Sequence, residues 1–139
     1  QQTAPRMMTM TAPEAESMDV ELPDGTVVTL QAGSEMKYRT TFRRNFKDIF
    51  LTGSAVVKVN NRPYDKITVH MGAAEIDVFD AHFEVVAPDP SAEVQIQVYA
   101  GDLAFVGDEG ESRLRIGTHH KVTYAATERS YQQEFLVQP

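Results

Sequence analysis

The chain of 139 residues contains no cysteine. Disulfide frameworks, thiolate metal centres and cysteine nucleophiles are therefore excluded. Tryptophan is absent too, which removes the side chain that flat sugar-binding platforms favour. No run of about 18 apolar residues occurs, so no segment reads as a membrane-spanning helix. Basic residues are in the minority: 13 Lys and Arg stand against 20 Asp and Glu, for a net charge of −7 and a pI near 5.0. Nucleic-acid-binding modules ordinarily carry a basic face, so this balance argues against one. The first residue is Gln1, with no charged-then-apolar leader pattern after it. The chain is expected to be an excised or processed piece, with any leader or anchor lying upstream.

What is present is alternation. The 42% hydrophobic and 24% charged fractions are ordinary for a globular domain. A chain this long buries roughly two thirds of its unfolded surface, enough for a core without metal or crosslinks. The organising stretch is Val20 to Leu30, VELPDGTVVTL. Val20, Leu22, Val28 and Leu30 recur at period two on either side of a Pro-Asp-Gly turn, so one face of a hairpin is apolar. The same device repeats along the chain. Ala55, Val57 and Val59 share a face, and Thr52-Gly53-Ser54 before them reads as a hairpin turn. Ile67, Val69 and Met71 alternate with polar residues, and Gly72 marks a turn. Ile76 and Val78 share a phase that shifts across Asp80-Ala81 before Phe83 and Val85, the mark of a bulge or corner. Val94, Ile96 and Val98 lead to a turn at Gly101-Asp102 and a return strand through Leu103 and Phe105. Phe135 to Val137 read as an edge strand, with a short helical turn over Ala125 to Gln133 as an alternative. These segments predict an all-β fold. It is an antiparallel-rich β-sandwich or a β-solenoid-like roll of about ten to twelve short strands. Residues 1–17 are Pro-punctuated and Met-bearing and read as a lead-in arm or linker, with pairing of Thr9–Met10 at a sheet edge as the alternative. Residues 18–139 form the domain.

Chemistry-bearing patterns are sparse. His119 and His120 are adjacent, so in a strand they point to opposite faces and do not converge on a metal. Asp77, Asp80 and Glu84 share one strand region without the spacing of a carboxylate pair across a cleft. Gly107 to Glu111 lacks the oxygen pattern of a calcium loop and the Lys-Ser/Thr of a phosphate loop. No nucleophile elbow occurs. The residues thus predict a binding protein rather than an enzyme, with no cofactor. The one charge anomaly is a basic stretch, Lys37, Arg39, Arg43, Arg44 and Lys47, inside an acidic chain. Arg39, Arg43, Arg44 and Lys47 are candidate contacts for an acidic partner surface. Tyr99 and Tyr131 fall on the polar phase of their segments and complete the candidate partner-binding set.

Four segments together resemble the periplasmic domain of FecR-type anti-sigma regulators. Leu22 to Ser34, followed by Met36, Tyr38 and Phe42, is similar to the family's Leu-Pro-Asp-Gly-Ser stretch with its later Val, Leu-Asn, Ser, Tyr and aromatic. Leu51-Thr52-Gly53-Ser54-Ala55, leading to Val57 and Val59, resembles Leu-x-Gly-x-Ala followed by an aromatic and a Val. Ile76 to Val85 is similar to Val-x-Val-Leu-Gly-Thr-x-Phe-x-Val. Val94 to Phe105, with its central Gly101, precedes Gly117 in the place of the family's Pro-Gly. Order and spacing agree over Met18 to Tyr124. Asp80-Ala81 replace the family's Gly-Thr, Val57 replaces an aromatic and Ile116 replaces Pro.

The resemblance implies a periplasmic sensing domain of a transmembrane regulator, tethered to the inner membrane by an upstream helix. It implies a protein partner: the N-terminal signalling domain of an outer-membrane TonB-dependent transporter. The signal would pass inward to an extracytoplasmic-function sigma factor, in response to iron complexes or, in gut Bacteroidetes, glycans. The competing reading is a surface carbohydrate- or cell-wall-binding β module, which predicts aromatics lined along one exposed sheet face.

Overall fold

The computed structural model describes residues 6–39, 47–60, 66–72, 74–89, 93–106, 113–125, 128 and 130–136. They form eleven strands: β1 (Met7–Thr11), β2 (Met18–Glu21), β3 (Val27–Leu30), β4 (Glu35–Arg39), β5 (Asp48–Asn60), β6 (Ile67–Met71), β7 (Ala74–Asp89), β8 (Glu93–Val106), β9 (Arg113–Ile116), β10 (His120–Ala125) and β11 (Ser130–Phe135). No helix occurs among the described residues, and the fold is all-β. Every pairing is antiparallel except β5 with β6, where Asp48–Phe50 run alongside Thr68–His70.

The opening hairpin forms as its sequence dictates. The Gly25 amide donates to the Leu22 carbonyl at 2.9 Å, and the Leu22 amide to the Thr26 carbonyl at 2.8 Å. The Asp24 carboxylate turns back to accept the Thr26 amide at 2.9 Å, the usual bond of Asp in a turn. Val20 faces Val28, and both are buried with Leu22 and Leu30.

Three strands are long, and they build the architecture. The first half of β5 lies between β4 and β6, and its second half between β3 and β7. β7 and β8 change neighbours in the same way. One layer therefore runs β1-β4-β5-β6-β7-β8-β9, and the other β2-β3-β5-β7-β8-β10-β11, with the three long strands crossing between them. Ring contacts show that the layers face each other. Tyr124 pairs with Val94 near the start of β8. Phe105 lies eleven residues further on, roughly 36 Å away if the strand stayed extended. Yet the Phe105 and Tyr124 ring centroids are 5.1 Å apart. The strand folds over, and the inner faces of both layers share one apolar cluster that includes Ile49, Val57, Ile76, Phe83, Ile96 and Phe105. This is a sandwich with shared strands, the arrangement in which bends and bulges carry a strand from one sheet to the next.

The bends correct two sequence expectations. Gly53 (φ +107°) and Gly101 (φ +86°) do not close hairpins; each sits inside a continuing strand. A Cβ on Gly53 would overlap the Ser34 hydroxyl and stand 2.8 Å from the Ser34 Cβ. Ser34 occupies that space because its Oγ accepts the Ser54 amide at 2.8 Å. A Cβ on Gly101 would overlap the Asp80 carbonyl and stand 3.0 Å from Ala81 Cα. The phase shift expected near Asp80 is present, as a register break between Val78 and Asp80 against β8. It moves burial from Ile76 and Val78 to Ala81, Phe83 and Val85.

Both ends of the chain add edge strands. Met7–Thr11, inside the stretch read as a lead-in arm, pair residue by residue with β4, and Ala12 is buried. Ser130–Phe135 form a strand on β10, not a helical turn, because Tyr131 and Gln133 continue the alternation set by Tyr124 and Val122.

Candidate partner-binding surfaces

The outward faces of the two layers carry the candidate chemistry. In the first layer, one cross-strand row reads Lys37, Phe50, His70 and Glu75. The Phe50 and His70 rings stack at 4.5 Å and 11°. Asp48 Oδ1 lies 2.9 Å from His70 Nε2 and orients the imidazole. The next row reads Asp48, Thr68, Asp77, Ala104 and Arg115. Asp77 is buried; the Thr68 hydroxyl donates to its Oδ1 at 3.0 Å, and Lys66 Nζ lies 3.9 Å from its Oδ2. Arg115 Nε donates to Asp102 Oδ2 at 2.8 Å. Phe79 sits on the bulge of β7, 44% exposed, beside a hollow of about 470 Å³ lined by Lys66, Asp77, Asp102 and Arg115.

Across the bend, the outer face of the second layer carries Lys58, His82 and Ala100 in one row. They line a second hollow of about 330 Å³. The Tyr99 hydroxyl donates to Glu84 Oε1 at 2.6 Å, and its ring lies 5.2 Å from that of His82. The hydrogen bond to Glu84, then burial, then the Glu84 charge push the Tyr99 phenol up to about 12. Tyr99 is thus held as a neutral, oriented ring. The bend therefore presents two exposed aromatics, Phe79 and Tyr99, among Lys58, His82, Asp102 and Arg115. Aromatic and Arg side chains inside a charged rim are the composition of protein interfaces. The carboxylates Asp77, Asp102 and Glu84 are each engaged by a neighbour. No group of three His, Asp or Glu side chains placed to hold a metal occurs among the described residues.

Among the described residues, those singled out in the sequence do not converge. Lys47 is buried, and its Nζ meets Asp24 Oδ2 at 3.0 Å with 4% and 10% of the two side chains exposed. It braces the opening turn and is not a surface contact. Arg39 is exposed at the end of β4, opposite Met7, and β5 and β6 separate it from β7. Arg43 and Arg44 lie outside the described residues. Tyr99 is on the outer face, as its phase predicts. Tyr131 is not: it pairs with buried Tyr124, so it lies on the core-facing side of β11. Its ring reaches to 6.2 Å from Phe105, and it stays 49% exposed because it overhangs the facing layer. His119 sits in the turn before β10, and His120 is the first residue of that strand. His119 takes φ +68°, and both rings approach Phe135, at 6.4 Å and 5.0 Å. Phe79, Phe50 and Arg115 were not legible as surface residues. For Phe79 a signal existed: it is the apolar residue caught in the break between two alternating phases.

A family model for FecR protein matches residues 8–104, more than half of the chain. No curated protein matches at a significant level. Two crystal structures of candidate anti-sigma factors from Parabacteroides distasonis ATCC 8503 share the fold. One, at 2.50 Å resolution, has a TM-score of 0.85 and 24% identity over 94% of this chain and 61% of its own. The other, at 1.65 Å, has a TM-score of 0.83 and 25% identity over 93% and 60%. This chain thus spans about three fifths of the length of those solved chains. The match begins in β1 and runs through the bend at Gly101 into the second half of β8. It takes in the Leu-Pro-Asp-Gly turn and the Ser34–Gly53 contact, and on that ground the chain belongs to the FecR protein family.

Proposed function

We propose that this chain is the periplasmic sensing portion of a transmembrane anti-sigma regulator. It works by binding a protein, the signalling domain of an outer-membrane TonB-dependent transporter. The observation that carries this reading is the FecR match over residues 8–104, supported by the likeness in fold to candidate anti-sigma factors. The exposed strip at the bend is the contact surface of choice. Phe79 and Tyr99 supply apolar area at small cost in side-chain entropy, and Arg115 and Lys58 supply charge. No covalent chemistry is required of it. The protein is held at the inner membrane by a helix upstream of this piece, and binding is relayed through the edge strand β1.

The test is isothermal titration with purified signalling domains of the TonB-dependent transporters from the same genome. One of them binds with a dissociation constant in the micromolar range or tighter. Phe79→Ala and Tyr99→Ala each weaken that binding at least tenfold while leaving the melting temperature near that of the parent. Absence of binding by every such domain at 100 µM overturns the proposal. Retention on a glycan array instead would favour a carbohydrate module, for which Phe50 and Phe79 on one outer face are the available platform.

A further inference from the structure

A sheet of this kind has four free edges among the described residues: β1 and β9 in the first layer, β2 and β11 in the second. Free edges invite pairing, and proteins blunt them by shortness and by charge. β2 and β9 follow that rule. Each has four residues and two like charges, Asp19 and Glu21 or Arg113 and Arg115. β1 has five residues of Met and Thr alone. β1 and β11 both break the rule, and β11 is the longer of the two and the one with exposed aromatics. Its six residues, SYQQEF, are all exposed, carry the single charge of Glu134, and include Tyr131 and Phe135 at 49% and 57% exposure.

The hydrogen-bond phase of β11 determines what its free side offers. The Leu136 amide donates to the His119 carbonyl at 2.6 Å. Bonded and non-bonded pairs alternate along an antiparallel ladder. From the register, Glu134, Gln132 and Ser130 are then bonded to β10, while Tyr131, Gln133 and Phe135 point their N–H and C=O groups away from it. The side chains of these same three residues lie on the core-facing side, opposite Tyr124, Val122 and His120. Unpaired backbone and uncovered aromatic surface therefore coincide on alternate residues of one strand.

We infer that β11 pairs with β11 of a second copy of this chain, antiparallel, about a two-fold axis through Gln133. An axis perpendicular to the sheet keeps inner faces on one side only when residues of like phase stand opposite each other. Centring on Gln133 satisfies this and engages all three outward-pointing residues, for about six backbone hydrogen bonds. Tyr131 then faces Phe135 of the second copy, and the symmetry repeats the contact. Gln133 faces its own equivalent, and Gln132 faces Glu134. Two aromatic cross-strand pairs form on the overhanging inner face, and no like charges oppose each other. A second copy is the occupant this pattern favours, because an isologous contact requires a self-complementary strand and SYQQEF is one. The contact is one strand wide, so the dimer belongs to the weak, transient class.

Sedimentation equilibrium of the 139-residue chain between about 5 and 500 µM tests this. The expected result is a mass rising with concentration from 15.5 kDa toward twice that value. Gln133→Pro removes an amide that β10 does not use. It should abolish association while far-UV circular dichroism stays that of the parent. Phe135→Lys should weaken association at least tenfold. Amide exchange supplies a readout that does not depend on any variant folding. Protection at Tyr131, Gln133 and Phe135 rises with concentration, and that at Gln132 and Glu134 does not. A chain that stays monomeric at the highest concentration overturns the inference. So does a dimer whose amides at 131, 133 and 135 exchange as in the monomer. None of these measurements involves a transporter, so this inference and the proposed function fail separately.

Discussion

Gly101→Ala is the sharpest perturbation of the fold, because two independent effects meet at one residue. Gly101 takes φ +86°, where an L side chain is strained by about 1–2 kcal/mol. Its added Cβ would also overlap the Asp80 carbonyl and stand 3.0 Å from Ala81 Cα, both backbone atoms of the adjoining strand. Backbone cannot swing aside as a side-chain tip can, so β7 and β8 must part where they cross between layers. Overpacking of that kind adds about 1–3 kcal/mol. The expected total is about 3 kcal/mol, a large part of the 5–15 kcal/mol that holds a domain together. The matching fall in melting temperature is about 10 °C. Gly25→Ala is the internal control. Gly25 takes φ +92°, but nothing lies within 4 Å of a Cβ there, so only the conformational strain applies. Urea unfolding of both variants, followed by far-UV circular dichroism, separates the two effects. If Gly101→Ala is no more destabilising than Gly25→Ala, the close approach at the bend is not what requires glycine.

Other expectations follow from single contacts. Lys47→Ala leaves the Asp24 carboxylate buried without its ammonium partner and should lower stability by about 3 kcal/mol; a loss below about 1 kcal/mol in urea would place the pair in solvent-like surroundings. Ser34→Ala removes the acceptor of the Ser54 amide and should cost about 1–2 kcal/mol, with faster amide exchange at Ser54 as its local signature. Tyr99→Phe tests the raised phenol. Its neutral form is the one the fold favours, so the stabilisation is complete below the ordinary phenol pKa of about 10 and disappears as pH climbs to about 12. Tyr99 is 37% exposed, and after screening the contribution is below about 1 kcal/mol. The stability gap between parent and Tyr99→Phe should close between those two values, and the late tyrosinate absorbance step should vanish in the variant. A gap that widens with pH would contradict the assignment.

Much of the fold was legible because it is local. Period-two alternation names the residues that share a face, and Val20, Leu22, Val28 and Leu30 went inside as that period requires. Pro23, Asp24 and Gly25 specify a turn by their own backbone preferences. The phase break at Asp80-Ala81 announced the bulge on β7. The candidate surface was less legible. Exposure depends on what covers a residue, and a one-dimensional pattern does not carry that. Lys47 looked like part of a solvated basic stretch, yet Asp24 takes it into the interior from 23 residues away. Tyr131 looked polar-phase until its register against β10 put it beside the core.

The clearest division falls at Gly53 and Gly101. The chain by itself requires that these two positions depart from ordinary strand geometry, and that the flanking residues alternate. It does not say whether the chain turns back on itself or continues. A hairpin and a bend between layers can use the same residue type and the same positive φ. They differ in which strand receives the next hydrogen bonds. At Gly53 the strand that follows pairs with β3 and β7, and at Gly101 the strand that follows joins the start of β7 and β9. Those partners lie far away in the chain, and their choice settles when both inner faces close on one core.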